Sequence, residues 1–153
     1  MKGVPGWDVV ITVKNIGRAS LPNGVWMDLY IDPVSVPTPN TPFYAISPGP
    51  YGGVWWIPQL NPGESVVLRK ADILPDWLPF FPASFNTPGV HTLYVQVDSL
   101  DERTGNPPTW ARVYELNEQN NIASVTVNVT GIGAAAFSAP QALPALPDRV
   151  EPR

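Results

Sequence analysis

An all-β body of packed antiparallel layers is the fold class this sequence predicts, and three observations predict it. Residues 90–98 and 122–130, VHTLYVQVD and IASVTVNVT, alternate apolar and polar side chains with a period of two, the signature of half-buried strands. Twenty prolines and twelve glycines, with only 14% charged residues, argue against long helices and for ordered, rigid loops, because proline fixes φ and removes a backbone donor. A 44% hydrophobic content with six Trp, five Tyr and five Phe in 153 residues supplies a single-domain core and argues against a disordered chain.

The elements follow in order. Residues 7–15 read as a strand with Val9, Ile11 and Val13 inward, Asp8, Thr12 and Lys14 outward, and Val10 as the exception. Asn15-Ile16-Gly17 closes it, and Asn23-Gly24 is a strong turn dipeptide. Residues 25–32 form the next strand, burying Val25, Met27, Leu29 and Ile31 and leaving Trp26 and Tyr30 on the outer face. Residues 33–53 are a proline-rich excursion too interrupted for regular structure.

A short strand, VWWIPQL, ends at the turn Asn61-Pro62-Gly63, and residues 65–69 give another with Val66 and Leu68 on one face. A second excursion, residues 71–88, leads into the strand that carries Leu93, Val95 and Val97 on one face. A third, residues 99–114, precedes ELNEQNN and the last strand, where Ala123, Val125, Val127 and Val129 share a face. Residues 131–153 are small and proline-rich, a tail or linker of extended character after a domain spanning residues 1–130.

Several function classes fall away on composition. A net charge of −4 without a basic cluster leaves no electrostatic footprint for nucleic acid or anionic membrane. Cysteine is absent, so there is neither a disulfide framework nor a thiolate metal site. No apolar run is long enough to span a bilayer, and the first residues lack the apolar core of a signal peptide, so an exported parent would contain this chain as a piece. No phosphate loop, His-rich metal motif or nucleophile elbow is present, and the reading is not an enzyme. The sequon Asn128-Val129-Thr130 sits inside the last strand and reads as strand rather than glycan site.

The succession VITVKNIG, VWMDLYID, LNPGES, PGVHTLYVQVD and ELNEQNN before an alternating strand resembles the CARDB family, the cell-adhesion-related domain of bacterial and archaeal surface proteins. The resemblance covers residues 3–130 apart from the three excursions. It implies an immunoglobulin-like sandwich of about seven strands, one module of a larger exported chain at the cell surface, with neighbouring domains or subunits as partners. The Asp-Leu strand with which such domains commonly open is not matched here, so one sheet is expected to lack its first edge strand. Where the family has a tyrosine after Pro-Gly-x this chain has His91, which shares parity with Leu93, points inward and suits a structural corner role with a ring nitrogen bonded to nearby backbone.

If each strand reverses direction, the loops alternate between two ends of the sandwich. The excursions at 33–53 and 71–88 and the tail fall at one end, and the 16–24 loop, the 61–64 turn and the acidic interval at the other. The first end gathers candidate ligand or partner residues Tyr51, Trp55, Trp56, Trp77, Phe80 and Phe81, rigid rings suited to stack on a glycan or anchor a protein. The competing and preferred reading is a satellite core covering Trp26, Tyr30 and Tyr94, because so large an exposed apolar patch is a liability. At the other end Asp98, Glu115, Glu118 and Asn120 offer calcium's preferred oxygen ligands. The simpler reading makes Asn120 and Asn121 structural turn residues that accept left-handed geometry, with Glu118 accepting backbone amides and no cofactor. Three functions stand: a non-catalytic structural or adhesion module, a carbohydrate-binding module using the aromatic loops, and a subunit that self-assembles by strand addition at an open edge.

Overall fold

The structure is a computed structural model, described for residues 9–21, 24–39, 43–47, 52–74, 88–99, 113 and 117–129. Its strands are β1 (Val10–Lys14), β2 (Val25–Ile31), β3 (Gly52–Ile57), β4 (Ser65–Arg69), β5 (Gly89–Val97) and β6 (Ile122–Val129). They build an all-β antiparallel sandwich. One sheet pairs β1 with β4; the other has four strands in the order β3-β2-β5-β6.

The pairing follows the predicted parity. Opposite residues in register place Val25, Met27 and Leu29 beside Ile57, Trp55 and Gly53, and beside Val97 and Val95, on one face. This face meets the two-stranded sheet, where Ile11, Val13, Val66 and Leu68 turn inward while Val10, Thr12 and Lys14 are exposed. The Trp55 indole N–H crosses the gap and donates to Arg69 O at 2.9 Å, which leaves that carbonyl satisfied inside the interface.

Every residue of β2 is buried. An ordinary two-layer sandwich covers one side of a strand only, so the second cover comes from elsewhere. It is the described part of the excursion after β2, residues 33–39 and 43–47, which contains a helical turn, α1 (Phe43–Ile46). Phe43 stacks on Tyr30 with centroids 5.1 Å apart and an interplanar angle of 25°, and Val34 N–H donates to Ile46 O at 2.8 Å. Trp26 packs edge-on against the half-buried Trp56, 4.7 Å between centroids. Among the described residues Phe43 thus covers Tyr30 and Trp56 packs on Trp26, as part of a satellite core, while Tyr94 stays half-buried; the excursion does hold regular structure despite its prolines.

Two further differences have local causes. Gly52 and Gly53 belong to β3 rather than to the excursion, pairing with Tyr30 and Leu29. The strand passes so close to β2 there that a Cβ on Gly52, at φ +149°, would lie 2.0 Å from Leu29 O, so only glycine permits the pairing. On β6 the predicted inward face is covered only over its second half: Val129 is buried and Val127 half-buried, whereas Ala123 and Val125 are exposed. The opposing sheet has only two described strands, too few to reach across four.

The loop ends sort as the alternation requires. Leu21 N–H donates to Leu60 O, Asn15 N–H to Glu64 O and Gly63 N–H to Asn15 O, and the Asn15 side chain donates to Ala19 O and Leu60 O. These bonds join the 16–24 loop to the 61–64 turn, while Ser99 N–H to Trp26 O brings the start of the acidic interval to the same end. The described parts of the proline-rich excursions lie at the other end, where Leu74 N–H donates to Val54 O.

Candidate functional site

The chemistry of the described surface concentrates where β2 ends and β5 begins. Asp32 follows β2 at φ 48°, a left-handed conformation that Asp tolerates because its short side chain bonds locally. It docks on β5 through three bonds. Its N–H donates to Thr92 O at 2.9 Å, its Oδ1 accepts from Thr92 N–H at 2.8 Å, and its Oδ2 lies 2.5 Å from His91 Nδ1. The His91 side chain is only 10% exposed and that of Asp32 47%, so a buried imidazole holds a half-exposed carboxylate in one place.

His91 thus points inward as its parity requires, and its Nδ1 meets the carboxylate of Asp32, which curls back over the strand end. A bond to a carboxylate is charge-assisted and stronger than one to a neutral acceptor. The pair ties the termini of two neighbouring strands together.

Beside it runs a shallow groove of about 310 Å³ lined by Asp32, Pro33, Ser35, Val36, Thr92 and Tyr94. Deeper, under the loop, a buried polar line continues from it. Tyr30 Oη donates to Gln96 Oε1 at 3.1 Å, with Asp28 Oδ2 a longer alternative at 3.4 Å, and Gln96 Nε2 donates to Thr38 O at 3.2 Å. These bonds fasten the loop to the sheet and so set the position of the groove wall.

Of the residues singled out for ligand contact, the two described ones, Trp55 and Trp56, lie on opposite faces of β3. Trp55 is fully buried with its indole N–H engaged, which removes it as a stacking platform: its ring is part of the inter-sheet core. Trp56 keeps a half-buried ring against Trp26. Tyr51, Trp77, Phe80 and Phe81 lie outside the described residues.

At the opposite end Asp98 is buried, also left-handed at φ 55°, and its Oδ2 accepts from Val113 N–H at 2.9 Å. Glu115 lies outside the described residues, and of Glu118 only the backbone is described, in a 3₁₀ turn over Glu118–Asn121. No three potential metal ligands gather among the described residues. The turn is capped by Asn117, whose side chain accepts from Gln119 N–H at 3.1 Å. Asn120 and Asn121 sit inside it rather than capping it, and among the described residues the left-handed non-glycine positions are the two aspartates that end β2 and β5. In the nearby turn, bonds from the Asn61 backbone and then its side chain hold the Glu64 carboxyl below its ordinary value.

Asp32 does not stand out in the sequence, because it belongs to neither the ring-rich stretches nor the acidic interval. Its signal was Asp-Pro directly after an apolar strand, a common turn opening. No protein-family model, curated protein or solved structure matches this chain.

Proposed function

We propose that this chain is a non-catalytic structural or adhesion module, immunoglobulin-like and CARDB-like, of a bacterial or archaeal extracellular or surface protein. The observation that carries the reading is the double cover of β2, all of whose residues are buried. Aromatic side chains that would shape a substrate cleft are used instead to thicken the core, and the carboxylate–imidazole pair serves to lock strand ends. Loops spent on rigidity suit a module that transmits position and load between neighbours. The test is cellular: an antibody against the chain labels intact source cells and loses its epitope to protease shaving. Signal confined to the cytosolic fraction, or turnover of a substrate by the purified chain, overturns the proposal.

A second reading, self-assembly by strand addition, is favoured by one specific observation. Among the described residues β1 pairs only with β4, and the β6 face beyond it leaves Val125 56% exposed. An added strand on β1 would satisfy an open backbone edge and cover that apolar strip. Sedimentation of the full chain beside one ending at Thr130 tests it: self-association lost on truncation supports the tail as donor, and monomers in both samples sink the idea.

A further inference from the structure

The outer face of the four-stranded sheet is divided in two. Over β2 it is covered by residues 33–39 and 43–47, whereas over β5 and β6 the described residues leave it open, with Tyr94 opposite Ser124 and Thr92 opposite Thr126. Tyr94 and Thr92 are half-buried, and Ser124, Thr126 and Asn128 are exposed. The loop edge forms a wall along this hydroxyl-rich floor, and the groove described above is the angle between them.

We infer that this groove is a binding site for a neutral saccharide, a function that goes beyond the structural role proposed above. Three properties select that chemistry. Tyr94 offers an aromatic surface to the C–H face of a sugar ring, and such a ring contributes contact area at low entropic cost. Asp32 supplies a carboxylate already oriented by Thr92 N–H and His91 Nδ1, yet 47% exposed. Each of its oxygens keeps acceptor capacity after those bonds, so vicinal sugar hydroxyls can donate to it without reorganisation. Ser35 and Thr92 add hydroxyls that both donate and accept.

The same residues exclude other ligands. Among the described lining residues there is no Lys or Arg, so a phosphate or carboxylate ligand would meet the Asp32 carboxylate with no cationic side chain of that lining to offset it. A wholly apolar ligand would desolvate that carboxylate without replacing its water. The volume of about 310 Å³ stands at the lower limit of the roughly 300–1,000 Å³ usual for small-molecule sites. It suits one unit of a chain that runs on over the open floor toward Ser124 and Thr126.

The test is a two-dimensional NMR titration of the full chain with uncharged tetra- to hexasaccharides built from hexoses or N-acetylhexosamines. A saturable response at the Ser35, Thr92 and Tyr94 amides is expected for at least one sugar. Tyr94→Ala should weaken that sugar by about tenfold or more, the loss of a central anchor, while Tyr94→Phe keeps most of the affinity because the ring remains. Ser35→Ala, at an exposed loop position, leaves the fold intact and should weaken binding severalfold. If no sugar perturbs these amides, if a proline-rich peptide perturbs them and sugars do not, or if folded Tyr94→Ala and Ser35→Ala both bind like the parent, the inference is overturned.

Discussion

Replacing Phe43 by alanine tests whether the proline-rich loop is a working part of the core. The ring is 1% exposed and stacked on Tyr30, itself fully buried on the outer face of β2. Truncating a buried phenylalanine costs about 3–5 kcal/mol through lost transfer energy and the cavity left behind, and the ring pair contributes part of that. Against a total stability of about 5–15 kcal/mol for an ordinary domain, the loss is large. At roughly 2–4 °C per kcal/mol for a chain of this size, Tm should fall by about 6–20 °C. Urea unfolding followed by tryptophan fluorescence, with Trp26 and Trp55 both buried, reads the change directly. Phe43→Leu should recover part of the loss, since it refills much of the volume. A loss below about 0.5 kcal/mol, the usual range for surface positions, would mean that the loop does not seal the sheet. The double cover of β2, and the structural reading built on it, would then fail.

Three other outcomes follow from the same geometry. Gly52→Ala should cost about 2–5 kcal/mol by adding left-handed strain to a backbone collision, because its Cβ would meet Leu29 O at 2.0 Å, whereas Gly63→Ala, at φ +82° with open space around it, should cost only about 1–2 kcal/mol; equal losses in urea melts would contradict this. Trp55→Phe should cost about 1–3 kcal/mol by leaving Arg69 O without its indole donor, and calorimetry that finds no change would show that the inter-sheet bond is idle. Glu64 has its folded value held below the ordinary 4.5, so its contribution is present above that value and is lost as pH falls through the lower folded one. Glu64→Gln should therefore flatten that part of the acid limb in a series of thermal melts, and an unchanged limb would remove Glu64 from the account.

What the sequence by itself determined are features whose cause is local. Period-two alternation set which side chains of each strand face the core, and Ile11, Val13, Val66 and Leu68 turn inward accordingly. Turn residues fixed where the chain reverses, and successive reversals fixed which loops share an end, as the bonds among Asn15, Leu21, Leu60 and Glu64 bear out. Tertiary structure decided which side chains cover each face. Nothing in the alternation of β2 tells that Phe43 will lie on Tyr30, because that contact depends on where a loop of many prolines folds back. The same holds for β6, whose Val125 looks as apolar as Val129 but stands beyond the reach of a two-stranded partner sheet. The candidate site belongs to this second class: Asp32, His91 and Tyr94 are ordinary residues in the chain, and they become a fixed acceptor beside a ring only when the ends of β2 and β5 meet. Local pattern is written residue by residue, whereas a surface is made by the non-local pairing that brings distant residues together.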